Sequence, residues 1–135
     1  DRGVESIACV ETVQICKAKQ LPIPKVSFVD ALTFEFEGEK VICRYFGAGH
    51  TSDNMVVYLP NSRILFGGCL VKSLNAKGLG SIRDAVIDDW DATVGKIKRA
   101  YPETRLVIPG HGSIGDMQLL DHTINLVRAF KQNNP

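Results

Sequence analysis

A chain of 135 residues with 44% hydrophobic and 23% charged side chains suits one globular domain over positions 1–135 and excludes a disordered segment. Sixteen Lys and Arg stand against fifteen Asp and Glu with no basic block, which excludes an evident nucleic-acid or anionic-membrane partner. No apolar run reaches the roughly 18 residues of a membrane span.

The chain opens on Asp1-Arg2 and runs straight into Val4-Glu5-Ser6-Ile7-Ala8, with no signal peptide ahead of it; a start on Asp rather than Met is expected of a processed or truncated end. Val4 to Ala8 reads as a short strand, and Thr12 as the cap of a short helix running to about Lys19. Pro22 and Pro24 mark a loop. Val26 to Phe36 is strand-like, Glu37-Gly38-Glu39 a tight turn, and Val41 to Tyr45 the returning strand of a hairpin. Gly47 to Asn54 is a polar, glycine-rich loop between that strand and the next, Met55 to Leu59. Pro60-Asn61-Ser62 turns the chain into Arg63 to Phe66, which ends at Gly67-Gly68-Cys69; Ser73 to Asp84 has loop character.

Trp90, Val94, Ile97 and Tyr101 recur at helical spacing, so Asp88 to Ala100 is an amphipathic helix stopped near Pro102. Arg105 to Ile108 is a short buried strand, followed by the loop Pro109-Gly110-His111-Gly112. Asp116 caps a last helix with Leu120, Ile124, Val127 and Phe130 on its inner face. Hairpins followed by strand–helix–strand–helix make an α/β fold, a sheet covered by helices on one face. Its other face needs a partner of its own.

Four cysteines lack CxxC spacing, so disulfide scaffolding is not expected; Cys9, Cys16 and Cys43 sit among apolar neighbours and read as buried thiols. Cys69 differs. It stands, with His50 and His111, in one of three glycine-rich loops that each follow a strand, and sites in α/β sheets gather beyond strand carboxyl ends. Imidazole and thiolate together favour zinc, and the glycines leave room beside a metal. Taken singly, each histidine reads first as a turn residue and Cys69 as a small buried hydrophobe; the three together are a stronger signal, yet spacing alone leaves zinc open. His122, beside apolar residues on the last helix, reads as a structural histidine hydrogen-bonded within the core.

The segments Gly47 to Asn54, Ile64 to Lys72 and Val107 to Gly112 resemble the class B metallo-beta-lactamases of subclass 1, and the likeness extends through Val56 to Pro60, Ala76 to Gly80 and Leu119 to Thr123. It covers nearly the whole chain. Gly-Gly-Cys with Lys three residues on, between two such histidine loops, is specific within the wider metallo-hydrolase fold; thioester hydrolases of that fold usually carry a carboxylate where Cys69 stands.

The resemblance implies the second portion of an αββα sandwich and hydrolysis of the beta-lactam amide of antibiotics by a zinc-bound hydroxide, without a catalytic serine. It implies His50 as the third histidine of one zinc site, and Cys69 and His111 as ligands of the second. Lys72 would pair with the antibiotic carboxylate, although without the motif it reads as a solvated surface lysine. Thr51 and Asp53 would steady the ligands by hydrogen bonds. The implied cofactor is Zn2+, two ions in the parent enzyme and one in this chain; the implied compartment is the periplasm. The implied partners are the antibiotic and either a missing N-terminal half or a second copy.

Two features depart from the family pattern. The His-x-His-x-Asp motif is absent; Asp1 lies only 49 residues before His50, short of the family's separation, and the chain from Arg2 matches the region beyond that motif. Ser81 stands where the family often has Asn near the substrate carbonyl, and its shorter side chain weakens that contact. The competing reading is therefore a non-catalytic zinc-binding fragment or interaction domain.

Overall fold

A computed structural model describes residues 3–134, so the Asp1-Arg2 start lies outside the described residues. Near the start are strand β1 (Ile7–Cys9), helix α1 (Val10–Ala18) and strand β2 (Val26–Phe28). Four strands follow: β3 (Ala31–Phe36), β4 (Glu39–Tyr45), β5 (Met55–Leu59) and β6 (Ile64–Gly68). Helix α2 (Ile87–Ala100), strand β7 (Leu106–Pro109) and helix α3 (Gln118–Asn133) complete the chain. Strands β3 to β7 form one sheet in sequence order, antiparallel except for the parallel β6–β7 pair that α2 connects. The β1–β2 pair is a separate parallel ribbon.

The expected hairpin forms on Glu37 (φ 49) and Gly38 (φ 82). Two left-handed residues in a two-residue loop make the type I′ turn, whose twist matches that of the strands it joins. The long strand expected over Val26 to Phe36 is instead two strands in different sheets, parted at Val29-Asp30. The first strand starts at Ile7, three residues later than Val4, and ends at Cys9, one later than Ala8. Thr12 is not a cap: α1 begins at Val10, and the Thr12 hydroxyl is used in a long-range contact with the His50 loop. Asp116 does accept a first-turn amide, from Gln118 at 2.8 Å. The N-cap position itself is Met117, one residue later than expected, so Asp116 reaches the first helical amide from just outside the cap.

Period-3.6 patterning builds the main core. Trp90, Val94 and Ile97 of α2 and Leu119, Leu120 and Val127 of α3 are buried against Val56, Tyr58, Leu65 and Val107 of the sheet, with Ile124 and Phe130 packed at the edge. Alternate residues of the same strands point the other way. There Cys43 and Val57 meet Cys9 and Phe28 in a second, smaller cluster. Cys9 and Cys43 are buried thiols as expected, and burial pushes both thiols up in pKa. Cys16 is only half-buried, because α1 turns no residue fully inward.

The helices α2 and α3 cover one face of the sheet. On the opposite face the pairings Phe34–Val41, Cys43–Val57 and Val57–Phe66 set Phe34, Phe36 and Phe66 on the side of Cys43. Beyond the small Cys9–Phe28 cluster that side is bare, with Phe34 37%, Phe36 65% and Phe66 40% exposed. Three exposed phenylalanines on one sheet face favour association. Replacing Phe36 and Phe66 together by Glu should shift sedimentation of the isolated chain toward monomer without lowering its melting temperature. Unchanged association would show that this face is not what self-associates.

Candidate functional site

Strand direction brings the loops that carry His50, Cys69 and His111 to one end of the sheet. β5 is antiparallel to both β4 and β6, so β4 and β6 run the same way, and β7 runs parallel to β6. The carboxyl ends of β4, β6 and β7 therefore lie along one sheet edge. His50 follows β4, Cys69 follows β6 and His111 follows β7.

The His50 loop is braced from three sides. Asn54 accepts the Thr51 amide at 3.0 Å and donates to the Gly47 carbonyl at 2.8 Å. From α2 the buried Thr93 hydroxyl donates to the Ala48 carbonyl at 2.7 Å, and the Val86 amide donates to Gly49 at 2.8 Å. From α1 Thr12 donates to the Asp53 carboxylate at 2.8 Å, while the Cys9 thiol reaches the Asp53 carbonyl at 3.3 Å. The bracing expected of Asp53 is thus exerted between the loop and α1. A side chain at Gly49 would strike Leu70 and come within 3.2 Å of Trp90, so the loop lies flat on the core only with glycine there.

His50 is half-buried, its ring edge-on to Trp90 at 5.4 Å between centroids. Burial, then the charges of Lys72 and His111, push its pKa below the ordinary value of 6.5, with Asp84 pulling the other way. Its Nδ1 is buried and has no hydrogen-bond partner. Orphaned buried nitrogens are uncommon. The shift favours the neutral imidazole, and Nδ1 is not committed to a structural bond, both of which suit a metal ligand.

Cys69 and His111 interlock through glycines. Gly68 has a φ of 56, and its carbonyl accepts the Gly110 amide at 2.7 Å. A Cβ at Gly110 would lie 2.6 Å from both the amide nitrogen and the Sγ of Cys69. The two loops meet backbone to backbone, leaving Cys69 half-buried and His111 exposed. They line one cavity of about 410 Å³ together with Lys72, Ser73, Ala76 and Gly80.

Lys72 is half-buried rather than a solvated surface lysine. Its Nζ lies 5.2 Å from the centroid of the Trp90 ring, a cation–π distance. Burial pushes its ammonium down in pKa, and Cys69 works in the opposite direction. Ser81 is exposed next to Gly80 and is not among the cavity-lining residues. His122 is structural, as expected, its Nε2 2.8 Å from the Ala76 carbonyl.

Among the described residues no three His, Cys, Asp or Glu side chains form a ready-made metal cluster. Cys69 and His111 share the cavity; His50 and Lys72 share the Trp90 ring. Two imidazoles and a thiol, one imidazole neutral and uncommitted at a buried nitrogen, fit a zinc ion in chemistry. Trp90 was legible only as a helix-face residue and Thr93 carried no signal; their roles beneath the loops depend on contacts 20 and 45 residues away.

No protein-family model matches the chain. It is 42% identical to a metallo-beta-lactamase type 2 of Bacteroides fragilis over 96% of its own length and 52% of the relative's. It superposes on a metallo-beta-lactamase from Pontibacter korlensis with a TM-score of 0.89 and 39% identity, over 94% of this chain and 59% of that one. By sequence and by fold, this chain is a relative of the metallo-beta-lactamases. The DIM-1 metallo-beta-lactamase exposed to ceftazidime matches equally well, with a TM-score of 0.89 and 39% identity over 96% of this chain and 59% of that one. The chain spans about half the length of the curated relatives it matches.

The depressed His50 pKa has a signed consequence for this metallo-beta-lactamase relative. The folded state resists a proton that the unfolded chain accepts, so stability rises with pH wherever the unfolded state binds more protons. The contribution is fully present above the ordinary value of 6.5 and is lost as pH falls through the lower folded value. Thermal melts of the metal-free chain between about pH 5 and 8 should show this decline, and His50→Gln should flatten it. An unaltered pH profile in His50→Gln would refute the assignment.

Proposed function

We propose that this chain carries one portion of a zinc-dependent beta-lactamase of subclass 1, hydrolysing the amide of beta-lactam antibiotics, with the periplasm as its compartment. The observation that supports this reading is the meeting of Cys69, His111 and Lys72 at one cavity, with His50 against the same Trp90 ring that Lys72 covers. Relatives named metallo-beta-lactamases, one of them exposed to ceftazidime, support the substrate class. The compartment rests on the family resemblance; among the described residues no helix is long and apolar enough to cross a membrane.

In this reading His50, Cys69 and His111 hold zinc, Cys69 as its thiolate. Zinc, when bound, lowers the pKa of water enough to supply a nucleophile near neutral pH and polarises the amide carbonyl. The chain's own contribution is placement. Lys72 offers its ammonium to the carboxylate of the antibiotic, and partial burial makes that pairing less screened than at an open surface. The Trp90 ring restricts where the ammonium can sit. Ser81, exposed beside Gly80, is short for a carbonyl contact and gives little to the reacting amide.

A second reading has its own support. With no three-ligand cluster among the described residues, a bare sheet face and half the length of its relatives, the chain alone fits a zinc-binding fragment. Such a fragment would await a missing half or a second copy. It would hold one zinc ion and turn over very slowly.

Zinc titration of the purified chain, with metal counted by mass spectrometry and nitrocefin hydrolysis followed alongside, separates the two readings. One bound ion with barely measurable turnover supports the fragment; two tight ions with rapid turnover support a self-sufficient enzyme. In either case Cys69→Ser should weaken zinc binding by roughly ten-fold or more, and unchanged stoichiometry and affinity would remove Cys69 from the ligand set. In an active protein that contains this chain, Lys72→Ala should raise KM about ten-fold while altering kcat much less, the pattern of lost uniform binding. An unaltered KM across several antibiotics would count against Lys72.

A further inference from the structure

The stretch from Leu70 to Ala76 forms one wall of the cavity through Lys72, Ser73 and Ala76, and belongs to no helix or strand. It is nevertheless fastened at three points. The Leu70 carbonyl accepts the Trp90 indole N–H at 2.8 Å. The Lys72 amide donates to the Thr123 hydroxyl at 2.8 Å. The Ala76 carbonyl lies 2.8 Å from His122 Nε2. Two of the three fasteners are consecutive residues of α3, which point about 100° apart around the helix and so grip the wall at separate places.

The hydrogen-bond chemistry is directional at both. Thr123 is fully buried, and its hydroxyl donates to the Leu119 carbonyl one turn back at 2.7 Å. With its proton committed there, the oxygen is free to accept only, and the Lys72 amide is what it accepts. A carbonyl only accepts, so His122 bonded to Ala76 carries its proton on Nε2. Neither fastener touches the ligand loops after β4 and β7; both act on the backbone that presents Lys72.

We propose that His122 and Thr123 are a positioning pair for substrate recognition, holding the Lys72–Ala76 wall so that the Lys72 ammonium stays between the Trp90 ring and Gly80, where a side-chain Cβ would be 4.0 Å from Nζ. The ligand class is a carboxylate-bearing cyclic amide or its opened product, and to that extent the inference rests on the function proposed above. The pair sets the placement of a cation that itself meets the ligand.

The test uses Thr123→Val, Thr123→Ser and His122→Phe in the full 135-residue chain. One readout is amide hydrogen exchange; the other is an NMR titration with hydrolysed benzylpenicillin. Thr123→Val and His122→Phe should speed exchange across Leu70–Ala76 by about ten-fold while the α2 and α3 amides keep their protection. Both should weaken the probe by about ten-fold, and Thr123→Ser, which keeps the hydroxyl, should restore both readouts. Unchanged exchange in the wall, or a Thr123→Ser variant no better than Thr123→Val, would overturn the positioning pair. Lys72→Ala is the control for the underlying reading: if it leaves probe affinity intact, Lys72 is not the carboxylate partner, and exchange alone judges the pair's grip on the wall. Should Thr123→Val not fold, His122→Phe, at a half-buried position, carries the same comparison.

Discussion

The Trp90 indole is the contact on which the site depends. Trp90 is fully buried, and its N–H finds the Leu70 carbonyl at 2.8 Å, so a large aromatic sits in the core without an unsatisfied donor. Around that ring are gathered the flat Gly49 backbone, the edge-on His50 imidazole and the Lys72 ammonium. Loop polarity would ordinarily keep such segments mobile over the surface. Here α2 offers each of them a rigid apolar body to lean on, and the rigidity of α2 comes from the sheet–helix core beneath it. Site geometry and core packing therefore meet in one side chain.

Much of this was readable from residue order because the signals were local or periodic. The spacing of Trp90, Val94, Ile97 and Tyr101 marked α2, and Glu37-Gly38 marked a turn that needs two left-handed residues. His50, Cys69 and His111 were legible as candidates because each follows a strand inside glycine-rich sequence. The misreadings came from tertiary contacts overriding local preference. Thr12 has the chemistry of a helix cap, yet Asp53, 41 residues away, takes its hydroxyl. Val26 to Phe36 has strand composition throughout, but its two ends pair with different partners, Val26 with Ile7 and Phe36 with Glu39. Thr123 left one faint trace, a polar residue on the buried stripe of α3; that its oxygen faces Lys72 could not be read without the fold.

The sheet has two sides of unequal completeness. One is sealed by α2 and α3 down to residues of zero exposure such as Leu65 and Val107. The other carries a small cluster around Cys9, Phe28 and Cys43 and then open phenylalanines. The loops of His50, Cys69 and His111 leave the sheet at its edge, where both sides are within reach. The sealed side holds those loops through Thr93, Trp90 and Thr123, so their shape is set from within this chain. A partner seated on the open side would add area and further groups to the same edge without having to build the loops.

Backbone contact, more than side-chain rotamers, fixes the relation between the Cys69 and His111 loops. Side chains can rotate to relieve a poor fit, whereas two main chains in contact can move only together. At Gly110 the space for even a methyl group is taken by the backbone and sulfur of Cys69, and the Gly68 carbonyl is bonded to the Gly110 amide. At Gly112, with φ +84, a Cβ would collide with Ser73 on the cavity wall. These glycines are a cost in chain entropy, since glycine loses more freedom on folding than other residues. In return, displacement of one loop carries the other, and the wall bearing Lys72 packs closely against the same unit where Ser73 faces Gly112. A ligand that draws on Cys69, His111 and Lys72 thus meets groups whose mutual placement was settled when the main chain folded, which lowers the ordering cost of binding them together.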